Sequence, residues 1–353
     1  MDFTLLLPLI VAFLVTIMLV PPTIHFAKKF DFIDDPKRHK HPAILHKKPI
    51  PRAGGLPIFL AVALAVFVFI PINSLTLAIL GASFITVITG LLDDKYDSSP
   101  YLRFFINIIC ASLVVFSGVS IPFITNPFGG ILHFDTMYLF SLGTVTIHVG
   151  SILAILWIVW VMNMLNWSKG VDGQMPGIAA ISAVIIGIAS LRFFPIESIN
   201  MEIAQFSFIV AGAALGFLVF NFYPAKIFPG YSATILGFLL GVLSITSGVK
   251  LATAVLVMGI PTIDALFTIV RRILSKRSPF WHDRGHLHHM LLEYGMGHRS
   301  IAAFYWLMSL VLGLIALSAS SRGKVFAIIL LIVLFSGLFF MLRFITKEEN
   351  EYE

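Results

Sequence analysis

"LTLAILGASFITVITGLLDDKYDSSP", residues 75–100, decides how this chain is read. From Leu75 to Leu92 there is no charge. That run approaches the ~20 residues an α-helix needs to cross a bilayer. It then meets Asp93, Asp94 and Asp97. Carboxylates at a membrane edge are costly unless something uses them. Asp93 and Asp94 follow the helix at its C-terminal end, where the macrodipole disfavours anions. Ser99-Pro100 already supplies an N-cap and N1 pair for the next helix, so the aspartates are not needed as caps. Solvation of a loop is the plain reading. A hard cation such as Mg²⁺, which takes carboxylate oxygens together with substrate phosphates, is the functional one.

Working outward, the pattern repeats. The 353 residues are 58% hydrophobic and 12% charged, which excludes a soluble domain of this length. Eleven apolar segments recur near 3–24, 56–71, 75–92, 101–122, 149–165, 176–194, 203–222, 232–248, 251–270, 299–318 and 323–343, or ten if 56–71 and 75–92 count together. The fold class is an all-α polytopic membrane protein. Residues 1–345 form one integral-membrane domain, and 346–353 an acidic, disordered tail. The first segment lacks a basic leader region and a small-residue cleavage site, so it reads as a retained helix. The segment 123–148 is too polar and Gly-interrupted to span and suits an extended hairpin on the membrane face. Cys110, the single cysteine, reads as a packing residue.

Lys and Arg placement sets the sides. With the N-terminus outside, twenty of them fall inside and four outside (Arg192, Lys250, Arg322 and Lys324). The polar strings "DFIDDPKRHKHPAILHKKPIPRAGG", "LLDDKYD", "NMLNWSKGVDG", "NFYPAKIFPGYS" and "RRILSKRSPFWHDRGHLHHMLLEYGMGHR" then share the cytoplasmic face. Five polar segments meeting on one face suggest an active site built from loops on a helical scaffold. In "PRAGGL", a Gly pair permits close backbone approach. His282, His286, His288 and His289 sit with Asp283 and Arg284. A zinc site, an anion pocket with the Arg284 fork and an amphipathic loop helix touching headgroups are all open readings. Asn221 and Lys226 bracket a Pro turn, and Phe228 is placed either to stack on a base or to anchor at the interface.

Together, "LLDDKYD", "NMLNxxxGVDG", "NFYPAKIFPG" and "SPFWHDRGHLHHMLLEYG" resemble, in order and spacing, the polyprenyl-phosphate N-acetylhexosamine-1-phosphate transferases, over about residues 1–345. "DRGHLHH" is similar to the branch using UDP-GlcNAc rather than to the phospho-MurNAc-pentapeptide branch, which tends to carry three consecutive His. The resemblance implies transfer of a HexNAc-1-phosphate from a UDP-N-acetylhexosamine to polyprenyl phosphate within the lipid bilayer, releasing UMP. It implies a multi-pass protein of the bacterial plasma (inner) membrane acting in cell-envelope glycan synthesis, a homodimer by analogy, and no nucleic-acid partner. It assigns Asp93 and Asp94 to Mg²⁺, with Mn²⁺ as the alternative, and to the diphosphate. Asn163, Asn166 and Asp172 match the nucleotide-side loop; Asn221 and Phe228 match positions facing the uracil. Arg284, His286, His288 and His289 match the loop meeting diphosphate and sugar. Lys47 and Arg52 align loosely as further substrate contacts.

Two departures stand out. The family usually reads N-x-x-N-x-x-D-G-x-D-G, and Lys169 replaces the first Asp here. It also usually reads F-x-G-D-S-G, and Tyr231 replaces an Asp regarded as a metal ligand. An active variant, with the Lys169 ammonium taking a catalytic place, is one reading. An impaired relative that only binds lipid phosphate or nucleotide-sugar is another, and a different donor or acceptor a third. A lipid transporter predicts charges or broken helices at the midplane and inverted repeats. The sequence suggests neither.

Overall fold

A computed structural model describes residues 3–37, 46, 48–126, 129–142, 145–192, 198–248, 251–281 and 283–352. Lys47 and His282 lie outside the described residues. The order is α1 (Phe3–Lys29), β1 (Ile33–Asp34), β2 (Ile50–Pro51), α2 (Gly55–Phe69), α3 (Ser74–Tyr96), α4 (Pro100–Phe116), β3 (Phe123–Thr125), β4 (Ile131–His133), β5 (Tyr138–Leu142), β6 (Val145–His148), α5 (Val149–Trp167), α6 (Gln174–Ser190), α7 (Ser198–Asn221), a 3₁₀ turn (Ser232–Thr234), α8 (Ile235–Thr246), α9 (Leu251–Val257), α10 (Gly259–Leu274), α11 (Leu287–Glu293), α12 (His298–Ser318) and α13 (Ser321–Tyr352).

A helix forms in each expected apolar segment, although α4 ends at Phe116 and α6 at Ser190, short of the expected bounds. Among the described residues, six helices are long and apolar enough to cross a membrane, or seven if α9 and α10 form one span; four further apolar helices are shorter. The protein is a multi-pass membrane protein. The segments 56–71 and 75–92 are separate helices, because Asn73 caps α3 by accepting the Thr76 N–H at 2.9 Å. Exposed apolar side chains on the outer helices, such as Met18, Phe67, Phe116 and Leu156, suit lipid.

Small residues set the packing, as they do where lipid removes the usual drive for helices to associate. A Cβ at Gly212 of α7 would lie 2.1 Å from the Leu9 carbonyl of α1, and one at Gly216 would lie 2.6 Å from the Phe13 carbonyl. The same four-residue spacing recurs at Gly237 and Gly241 of α8, which meet Met162 and Ile158 of α5. These seams hold α7 against α1 and α8 against α5, and a Cβ at Gly90 of α3 would lie 2.2 Å from the Ser232 Cα, so α3 closes on the turn before α8.

Four expectations need correction. Asp93 and Asp94 lie inside α3, which continues to Tyr96 and ends at Asp97 in the left-handed region (φ 48°). The aspartates therefore project from a helical frame rather than from a loop. The described residues of 123–148 form two antiparallel strand pairs, β3–β4 and β5–β6, rather than one extended hairpin. The acidic tail continues α13 to Tyr352, because Lys and Glu are good helix formers and no breaker intervenes. Finally, a broken helix does occur. α9 and α10 meet at an 84° bend, where Met258 precedes Gly259 and Pro261. Proline removes a helical N–H and crowds the preceding turn.

Candidate active site

The site starts from the aspartate pair. Asp94 is buried and receives the backbone N–H of Tyr231 on Oδ1 at 2.6 Å and that of Ser232 on Oδ2 at 3.3 Å. The loop "FPGYS" thus wraps the carboxylate. Only glycine fits at 230: its φ is +66°, and a Cβ there would lie 2.2 Å from Asp94 Oδ2. Asp93 points to the other side. It accepts Arg103 Nε at 2.7 Å and the Ser98 N–H at 3.0 Å, so it fixes the turn into α4 after all. Arg103 also pairs with exposed Asp97 at 2.9 Å.

The "PRAGGL" glycines do approach closely. Gly55 N–H donates to Ser232 Oγ at 3.1 Å, and a Cβ at Gly55 would lie 2.1 Å from the Ser232 carbonyl. Phe228 N–H donates to the Pro51 carbonyl at 2.8 Å, and the Phe228 ring meets His46 edge-on at 5.0 Å. Arg52 pairs with buried Asp34. The basic loop and the "IFPGYS" loop therefore share one wall.

Lys169 enters from the turn after α5. Its Nζ donates to the Gly230 carbonyl at 3.1 Å and lies 5.8 Å from the centre of the Tyr231 ring. Burial draws its pKa down to about 8, against the pull of Asp94; Arg52 pushes the same way as burial. Arg103 sits 5.3 Å from the same ring. The Tyr231 phenol accepts from Asn107 Nδ2 at 3.1 Å, and burial pushes it up to about 12, so it is neutral.

The other nucleotide-side positions divide. Asp172 Oδ2 accepts the Ala225 N–H at 3.0 Å, and burial raises its carboxyl above the usual range. Asn221, which the resemblance matches to the uracil side, spans two loops. It accepts the Gly173 N–H at 3.0 Å and donates to the Ile227 carbonyl at 2.9 Å. Asn163 donates to Val159 in its own helix at 2.8 Å, whereas Asn166 keeps a buried Oδ1 with no protein partner.

The histidine loop closes the set. His286 Nδ1–H donates to Asp264 Oδ2 at 3.0 Å, and Asp264 Oδ1 accepts the Leu287 N–H at 2.8 Å. His288 packs on Gly170, where a Cβ would lie 1.9 Å from its Nε2. Burial, then neighbouring His289 and His286, lowers the His288 pKa well below the usual value; burial, then His286 and Arg284, brings His289 to about 4. Both are neutral near pH 7, so cationic charge in this pocket comes from Arg and Lys rather than from these imidazoles. Burial raises Asp283, but Arg272, the Gly285 N–H and Arg271 outweigh it and hold the carboxyl well below the usual range. Arg284 is exposed.

Sequence reasoning missed Asp264, Asn107 and the bridging roles of Arg103 and Asn221. A lone aspartate in the apolar run "GIPTIDALF" is itself a signal, because an intramembrane carboxylate marks function by default.

The Mg²⁺ or Mn²⁺ assigned by resemblance to Asp93 and Asp94 can be tested against this donor set. The carboxylates already face Arg103, Lys169 and three backbone N–H groups. The position where the family usually has a ligand Asp holds a neutral phenol bound by Asn107. Among the described residues, no three His, Cys, Asp or Glu side chains are grouped to hold a metal ion. Mg²⁺ needs only one or two carboxylates beside substrate phosphates, so it is the cationic and N–H partners of the carboxylates, and the phenol at 231, that make the residues present a poor fit for a divalent cation. Among the described residues the histidine loop likewise offers no such group of three for zinc, and His282 lies outside them.

Among the described residues the fold is thus a polytopic helical scaffold whose helix ends and loops together build a polar centre. The profile of Glycosyl transferase family 4 matches residues 76–248. A Bacillus subtilis protein named as a probable undecaprenyl-phosphate N-acetylglucosaminyl 1-phosphate transferase is 31% identical, over 92% of this chain and 89% of its own length. The decaprenyl-phosphate N-acetylglucosaminephosphotransferase of Mycolicibacterium smegmatis is 33% identical over 78% of this chain and 73% of its own length. The phospho-N-acetylmuramoyl-pentapeptide-transferase of Moorella thermoacetica is 27% identical, over 88% and 96%. The chain belongs to the polyprenyl-phosphate N-acetylhexosamine-1-phosphate transferase family and is a glycosyl-1-phosphate transferase.

Proposed function

We propose that this chain transfers HexNAc-1-phosphate, as GlcNAc-1-phosphate, from a UDP-sugar to polyprenyl phosphate. An oxygen of the lipid phosphate attacks the β-phosphorus. The bond from that phosphorus to the bridging oxygen breaks, and UMP leaves with the bonding pair. One diphosphate bond is lost and one gained. A phosphomonoester has its second pKa near ~6, so the attacking phosphate is mostly a dianion at neutral pH and needs no strong base. Bringing several phosphate charges together needs fixed cations, which do most of the work in phosphoryl transfer.

The observation carrying this reading is the cluster of Lys169, Arg52 and Arg103 around the Asp94–Gly230 contact. In this reading Asp93 and Asp94 set the positions of Arg103, Lys169 and the 229–232 loop against the diphosphate. Asp172, Asn163, Asn166 and Phe228 line the nucleotide side, with Asn221 holding that loop in shape. Arg284, His286, His288 and His289 meet the diphosphate and sugar, and Lys47 extends the basic wall. Eleven spans place the N-terminus outside and the site on the cytoplasmic side of a bacterial inner membrane, within one domain over residues 1–345. A homodimer is the assembly to look for.

The test is UMP release by purified protein in detergent. Release that requires both UDP-GlcNAc and polyprenyl phosphate, and falls at least ~100-fold in Asp94→Asn, is the expected result. Binding of either substrate without release would make the chain an impaired relative instead.

A further inference from the structure

We propose that this chain carries its own fixed cation, the Lys169 ammonium, at the phosphate site and works there without a divalent metal ion. The inference rests on the transfer reading and concerns the charge that reading needs.

Charge balance comes first. Asp93 shares Arg103 with Asp97, and Lys169 lies near enough to Asp94 for each to feel the other's charge, so two resident cations already stand beside the carboxylates. A divalent ion added between them would face these two cations, while Arg52, which also acts on Lys169, is paired with Asp34. Donor geometry comes second. The Asp94 oxygens are occupied by the Tyr231 and Ser232 N–H groups, and Asp93 Oδ1 by Ser98 N–H and Arg103. Hard cations want oxygens that turn outward toward substrate phosphates. Here both Asp94 oxygens and Asp93 Oδ1 turn inward and hold protein, which leaves Asp93 Oδ2 as the one oxygen of the pair without a protein partner among the described residues.

The two departures from the family pattern then explain one another. Tyr231 removes a carboxylate where the family usually has a ligand. Its ring instead lies against Lys169 and Arg103, at 5.8 and 5.3 Å, and Asn107 holds its hydroxyl. A cation on an aromatic face is attracted by the ring quadrupole. Lys169 replaces a second carboxylate with a positive charge, and the Gly230 carbonyl orients it. An ammonium has three N–H donors, and Gly230 takes one, leaving donors for phosphate oxygens. Either substitution alone would leave a charge mismatch; together they replace a metal-binding set with a lysine.

The experiment uses Mn²⁺ as a paramagnetic stand-in for Mg²⁺. Free Mn²⁺ is followed by electron paramagnetic resonance during titration of the purified full chain, without nucleotide. UMP release is measured in parallel with excess chelator. The expected result is no saturable Mn²⁺ site in the wild type, and release in chelator within about twofold of that in Mg²⁺. The Lys169→Asp, Tyr231→Asp double variant should gain one Mn²⁺ per chain. One Mn²⁺ per wild-type chain that is lost in Asp94→Asn, or release abolished by chelator, would overturn the proposal. The wild-type arm needs no variant to fold. If no condition yields UMP, the transfer reading fails, while the Mn²⁺ titration still decides the cation.

Discussion

Burial draws the Lys169 ammonium down to about 8, so its charge is present at neutral pH and is lost as pH rises through that value. A site that relies on this charge loses activity on the same limb. The pH profile of kcat/KM should fall above about pH 8. It should also fall below about pH 6, as the lipid phosphate gains a proton. His289, at about 4, stays neutral over this window and adds no limb. Lys169→Met should lower release roughly 100-fold and remove the alkaline limb from what remains. An unchanged limb in that variant would assign it to another group. At this scale the sequence was informative where chemistry lies in one string. "LLDD", "GHLHH" and the two departures at 169 and 231 could all be read directly. It was silent where partners come from distant elements. Asn107 meets Tyr231 across 124 residues, and nothing in "FINIICA" marks that contact. The resemblance matches Asn221 to a position facing the uracil, and only the structure shows that both ends of its amide hold backbone.

The helices were legible from apolar length, because a bilayer demands it. The break between α9 and α10 was not, since a continuous apolar run hides a bend set by Gly259 and Pro261. That break matters to the site. α10 carries Asp264, whose two oxygens hold His286 and the Leu287 N–H at the start of α11. α10 also carries Arg271 and Arg272, which clamp Asp283. One helix thus fixes the histidine loop at both sides. Asp264→Asn removes a charge-assisted acceptor from a buried imidazole, a loss of ~1.5–3 kcal/mol. Release should fall about 10- to 100-fold, with helix content by circular dichroism unchanged. Full activity in Asp264→Asn would mean that the loop is held without it.

For the whole molecule, side assignment rests on twenty cationic residues against four. It predicts where a membrane-impermeant maleimide reacts. Cys110 is buried and gives little background. Ser320→Cys, in the α12–α13 turn, should label on intact cells; Ser275→Cys, after α10, should label only after lysis. The reverse pattern would put the site outside. Composition and charge give the class and an expected sidedness, which the labelling tests, because lipid and the positive-inside bias act on whole segments. They did not give the packing. Nothing local in sequence says that α1 lies along α7, although Gly212 and Gly216 are the surface that allows it.

The measurement that tests the central claim most directly follows the β-phosphate. UDP-GlcNAc labelled at that phosphorus is incubated with polyprenyl phosphate and the purified chain, and lipid and nucleotide are separated. Sugar-1-phosphate transfer predicts that label moves into the lipid, in equal amount to unlabelled UMP formed. Label that stays with the nucleotide while sugar reaches the lipid, or label that never leaves UDP-GlcNAc, would contradict the account.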